Sequence, residues 1–155
     1  MVDFTSVLNK KADDLQKPVP KPVGTYVCQV VGLPKQKTVV GKDTGEEMPV
    51  VTYTVRPIMA KDDVDPDELK TQPPISQWGN FQRTIDFFLH TEGGQFYHSE
   101  FLANVLDIPS DDKTVGERMV EAPGKQLLVA IKHAPYVNKQ GQPEIGIELA
   151  GYAHT

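Results

Sequence analysis

The chain has 155 residues, of which 16 are Lys or Arg and 21 are Asp or Glu, for a formal charge of −5. With 39% hydrophobic and 24% charged residues it has the composition of one folded globular domain rather than of a disordered segment. No run of about 18 apolar residues offers a membrane-crossing helix, and the single cysteine, Cys28, excludes an internal disulfide and a cysteine-based zinc site.

In chain order, Phe4, Val7 and Leu8 have helical spacing, which Leu15 extends, with Asp3 as a candidate cap. The first residues carry no basic region followed by an apolar core, so no secretory leader is expected and the cytoplasm is the expected location. Pro18, Pro20 and Pro22 then forbid helix and favour an extended arm. Residues 1–23 thus form a short helix and proline-rich arm. It either packs on its own domain or reaches a neighbouring subunit.

Residues 24–155 are expected to form one domain. Residues 24–33 are apolar and rich in β-branched side chains, a buried strand that holds Cys28 as an inert core thiol. Residues 34–49 mix lysines, acids and glycines and are read as a loop or long hairpin end. Residues 50–60 are the second strand, with Val51, Tyr53 and Val55 on one face and Thr52, Thr54 and Arg56 on the other. Residues 61–78 are a polar, acidic, proline-bearing insertion. Residues 81–90 are the third strand: Ile85, Phe87 and Leu89 share a face, and Gln82, Thr84, Asp86, Phe88 and His90 share the opposite one.

A helix over 96–106 follows, with Phe101, Leu102, Val105 and Leu106 on one stripe and Pro109 beyond it. Thr114 with Glu117 forms a capping-box pattern that opens a second short helix, running to about Ala122. Residues 126–134 are the fourth strand. Asn138-Lys139-Gln140-Gly141 is a hairpin turn, and residues 145–152 are the fifth strand. The fold expected is mainly β with a small α part. Its order, β-β-β-α(α)-β-β, is that of a five-stranded OB-like barrel.

The runs Asp3-Phe4-Thr5-Ser6-Val7-Leu8, the proline arm 17–22 and Pro22-Val23-Gly24-Thr25-Tyr26 resemble a family of bacteriophage-encoded single-stranded-DNA-binding proteins with an OB-fold. So do Val51-Thr52-Tyr53-Thr54-Val55 and Ala122-Pro123-Gly124-Lys125-Gln126 with Val129, Ala130, Ile131 and Lys132. The acidic stretch 61–70 departs from that pattern. The resemblance implies an OB barrel and a role in phage replication or recombination.

Single-strand binding needs aromatic faces for bases and scattered cations for phosphates. The candidates on the outer face and in the flanking loops are Lys35 and Lys37, Arg56, Arg83 and Phe88, with Tyr136 and Lys139 in the last loop. Trp78, in the polar stretch Gln77-Trp78-Gly79-Asn80, is either a stacking face or a plug for one end of the barrel. Phe88 either joins the outer face or packs under the helices.

The charge is unevenly spread. Residues 61–70 hold five acids and two bases, and residues 100–122 hold six acids and two bases. With a pI near 5.3, a dedicated duplex binder is disfavoured, while a local face for single strands is not. Enzyme signatures are missing. There is no phosphate-binding GxxxxGK[ST] or GxGxxG loop. His98-Ser99-Glu100 matches half of a nucleobase-deaminase signature whose Cys pair one cysteine cannot supply. His90, His98, His133 and His154 lack metal-ligand spacing, so no catalytic group, cofactor or metal is expected. The expected partner is single-stranded DNA, with no membrane and no small-molecule substrate. Two alternatives stay open: a phage assembly protein that oligomerises through its N-terminal arm, and an acidic adaptor or inhibitor of a host enzyme.

Overall fold

In a computed structural model, residues 4–14 and 19–155 are described. Asp3, Leu15 and the arm residues 16–18 lie outside them. The protein is mainly β. Its elements are α1 (Phe4–Leu8), β1 (Gly24–Val30), β2 (Lys35–Val40), β3 (Glu47–Ala60), α2 (Pro66–Lys70), β4 (Arg83–Phe88), α3 (Glu92–Glu100), α4 (Val115–Met119), β5 (Gln126–Val137) and β6 (Pro143–Ala153). A π-helical turn, Phe101–Val105, continues α3. Among the described residues, no helix is long and apolar enough to cross a membrane.

All pairings are antiparallel, and the six strands form one sheet: β1 and β2 pair successive stretches of one edge of β3 (55–60 and 47–52), β4 pairs its opposite edge (50–55), and β5 and then β6 follow on the far side of β1. The five expected strands correspond to β1, β3, β4, β5 and β6. The additional strand is β2: of the loop or long hairpin end expected over 34–49, the structure has the hairpin, with β2 and the start of β3 as its arms. β2 pairs Lys35 with Thr52 and Val40 with Glu47, and five of its six residues are exposed, so it is an edge strand without an apolar period. The closed five-stranded barrel expected from the sequence is corrected to an open six-stranded sheet. β4 pairs only β3 and β6 pairs only β5, so no ladder joins β4 to β6.

The alternations in β3 and β4 place Val51, Tyr53, Val55, Ile85 and Phe87 in the core with Tyr26, Cys28, Val30, Leu127 and Val129. Each aliphatic side chain buried this way contributes roughly 1.5–3 kcal/mol. The helices close the base of this core. Thr91 caps α3 by accepting from Gly94 N. Gly94 lies against the end of β4: a Cβ there would overlap the carbonyl oxygen of Phe88, so only glycine lets the helix start this close to the strand. The Thr114–Glu117 capping box forms as expected and starts α4.

The acidic insertion is folded against the sheet. Asp65 caps α2 by accepting from Asp67 N, with Pro66 in the first turn. Thr25 donates from its backbone N and its Oγ1 to the Asp63 carboxylate, at 2.9 and 2.8 Å. These bonds hold Asp63 below the usual carboxylate range. Gln72 of the insertion donates to the carbonyls of Val19 and Pro20, Lys21 Nζ donates to Gln72 Oε1, and His133 Nε2 lies 2.9 Å from the Lys21 carbonyl. The described end of the proline arm therefore lies on its own sheet.

Candidate nucleic-acid interface

Cross-strand register fixes which side chains share the outer face of β2, β3 and β4. One row reads Lys35, Thr52, Asp86, and the next reads Lys37, Val50, Phe88. Residues directly opposite in antiparallel strands share a face. Both lysines therefore stand on β2 and both Asp86 and Phe88 on β4, with β3 between them. Phe88 is 42% exposed, which resolves the choice left by its sequence: its ring is outward, and Phe87 takes the core position. The His90 ring meets it edge-on, with centroids 6.4 Å apart. Thr52 Oγ1 donates to Asp86 Oδ1 at 2.6 Å.

The other candidates do not join these rows. Arg56 is exposed, but it sits farther along β3, opposite Gln29 of β1. Arg83 pairs with Val55, an inward position, so it leaves the outer face. Its guanidinium lies 4.5 Å from the Phe81 ring centroid, and its Nη1 donates to the Gln82 carbonyl at 2.7 Å. Its Nε has no hydrogen-bond partner, and burial lowers its pKa. Arg83 borders a cleft of about 940 Å³ between the start of β4 and the start of β6, lined also by Phe81, Pro143, Ile145 and Ile147.

Tyr136 and Lys139 belong to the β5–β6 hairpin, on the opposite side of β1 from β3. The Tyr136 ring lies over Gly146, where an added Cβ would be 3.4 Å from it. Asn138 Oδ1 accepts from Gln140 N and Gln142 N and shapes the turn that exposes Lys139.

Trp78 is in the core. It is 6% exposed, its indole N–H donates to the Pro73 carbonyl at 2.9 Å, and the rings of Tyr26 and Phe81 meet it edge-on at 5.6 and 5.7 Å. Lys21 Nζ stands 4.8 Å from its ring centroid. A base cannot stack on this ring without displacing those neighbours; Trp78 is a core residue of an open sheet, with no closed barrel end for it to plug.

The polar residues beneath α3 are structural. His98 is 1% exposed, and its Nε2 lies 2.6 Å from the Tyr53 hydroxyl. Burial, with the nearby Arg118 charge, pushes its pKa down to about 4, so the ring is neutral. Arg118 is buried as well and donates to Ser99 Oγ and to the carbonyls of Ser99 and Ile108. His98-Ser99-Glu100 therefore has its first two residues committed to packing. Burial pushes the Cys28 thiol up to about 12 and leaves it protonated.

Two exposed aromatics escaped the sequence reading: Phe96, 58% exposed, and Tyr97, 68% exposed, just after β4. The helical period held the signal. His98, Phe101 and Leu102 are the buried stripe, so 96 and 97 fall outside it. Compared with known protein families, the chain matches none, and no curated protein matches it.

Proposed function

We propose that the protein binds single-stranded DNA on the outer face of β2, β3 and β4. The observation that carries this reading is the row Lys37–Val50–Phe88 beside Lys35, which aligns two exposed cations with an exposed aromatic ring on one pleated surface. Phosphates run along the β2 lysines, and a base stacks on Phe88. Arg56 extends the basic track along β3. The connectivity supports the reading: without β2, the order β4-β3-β1-β5-β6 is that of an OB barrel opened between its third and fifth strands. The resemblance of the arm and strand motifs to phage single-strand binders points the same way and suggests replication or recombination as the setting.

One stacked base contributes about 1–3 kcal/mol, and each phosphate contact adds a salt-dependent increment. The expected affinity is therefore about micromolar at low salt. Fluorescence anisotropy of a labelled 30-nucleotide oligo-dT at low and physiological salt tests it. Saturable binding that weakens with salt and resists a duplex competitor supports the reading. No binding at tens of micromolar protein and low salt would sink it.

A second reading rests on α1, whose Phe4 and Leu8 are 69% and 76% exposed. An apolar helix face left this open favours assembly through the N-terminal segment. Sedimentation of the full chain and of Phe4→Ser/Leu8→Ser separates the two: assembly predicts an oligomer that the double variant dissolves.

A further inference from the structure

We propose that Asp86 makes this face select bases that carry an exocyclic amine, cytosine over thymine. This rests on the single-strand reading above and extends it, since stacking on Phe88 and phosphate contacts at Lys35 and Lys37 do not distinguish one base from another. A preference needs a group that meets a base edge.

Asp86 is placed to be that group. Residues two apart on a strand share a face at a spacing of about 6.6 Å, so Asp86 stands one step along β4 from Phe88. The cations lie on β2, across β3. Two strand spacings, about 9.6 Å, thus separate a phosphate track on β2 from a base track on β4. Among the described residues, Asp86 is the one carboxylate at the outer-face positions of β2, β3 and β4.

One oxygen of its carboxylate is tethered to the neighbouring strand. Oδ1 accepts from Thr52 Oγ1 at 2.6 Å, and Thr52 is itself only 8% exposed. No hydrogen bond from the described residues reaches Oδ2, and Asp86 is an exposed residue. A carboxylate accepts hydrogen bonds and has none to give. The cytosine N4 amine donates to such an acceptor, whereas thymine presents its O4 acceptor at the same place, lone pair against lone pair. A thymine stacked on Phe88 must turn its O4 edge away or be repelled. A cytosine keeps both the stack and the edge contact.

The test is anisotropy with labelled 20-nucleotide oligo-dC and oligo-dT at pH 7.5 and low salt, on the wild type, Asp86→Asn and Lys35→Ala. Asn keeps the size of the side chain and the acceptor toward Thr52, and its amide adds a donor for thymine O4. We expect the wild type to bind oligo-dC roughly fivefold more tightly than oligo-dT. Asp86→Asn is expected to bring that ratio to one or invert it, with oligo-dT gaining affinity. Lys35→Ala is expected to weaken both oligonucleotides equally. Equal dissociation constants in the wild type, with a ratio unmoved by Asp86→Asn, overturn the selection while leaving single-strand binding standing. Absence of binding to either oligonucleotide overturns both.

Discussion

Two polar regions lie close together along the chain and behave in opposite ways. Beneath α3, His98, Tyr53, Arg118 and Ser99 are buried or partly buried and bonded to one another or to backbone carbonyls. On the outer face, Lys35, Lys37, Asp86 and Phe88 are exposed, and one oxygen of Asp86 is left open. The first region holds the residue types associated with catalysis, with their polar atoms committed to one another or to backbone carbonyls. The second holds ordinary strand residues arranged by register. Chemical residue types in a row, such as His98-Ser99-Glu100, do not make a site when their hydrogen bonds are spent on packing. Unremarkable side chains become a surface when the pleat aligns them.

The buried region is expected to govern stability and leave binding alone. The largest effect should come from Arg118→Ala, which removes the hydrogen bonds to Ser99 and to the Ile108 carbonyl and opens a cavity. We expect a loss of about 3 kcal/mol or more, read by urea unfolding. Oligonucleotide affinity of the folded protein should stay unchanged.

Next in size is a pH effect at His98. The unfolded chain takes up the imidazole proton near the ordinary value of 6.5, whereas the folded chain resists until about 4. Protonation therefore favours unfolding. The contribution is whole above about pH 6.5 and is lost as pH falls from there toward about 4, by roughly 3 kcal/mol. His98→Gln should flatten this dependence relative to the wild type. An identical slope for the two proteins over pH 4.5–6.5 would show that His98 is not its source.

The outer face should show the converse pattern. Phe88→Ala is expected to weaken oligo-dT binding by roughly five- to hundredfold, the equivalent of one lost stack. Because the ring is 42% exposed, the unfolding midpoint should move little. The smallest effect belongs to the lysines. Lys35→Ala and Lys37→Ala should each flatten the dependence of log affinity on log salt by about 0.7.

The sequence showed the core strands more plainly than the edge. Val50–Val55 and Ile85–Leu89 alternate with a period of two, so their inward and outward faces could be assigned. The Thr114–Glu117 box marked its helix. β2 was hidden because Lys35-Gln36-Lys37-Thr38 is exposed at every position and has no apolar period. Its pairing depends on β3, a partner across a turn. Trp78 was ambiguous because its polar neighbours in sequence are not its neighbours in space: Tyr26, which packs against it, lies fifty-two residues away. The lysines and Phe88 were legible as candidates, but only register could align them. The same register moved Arg83 off the face, and the strand pairing put Tyr136 and Lys139 on the β5–β6 hairpin beyond β1.

The most direct test of the outer-face account is a titration of the wild type and Phe88→Ala with labelled oligo-dT at low salt, following anisotropy and Trp78 emission together. Saturable binding by the wild type, marked weakening in Phe88→Ala, and Trp78 emission that stays unquenched, because the indole lies in the core, are expected. Equal binding by both proteins with quenched Trp78 would contradict the outer-face account and place the strand elsewhere.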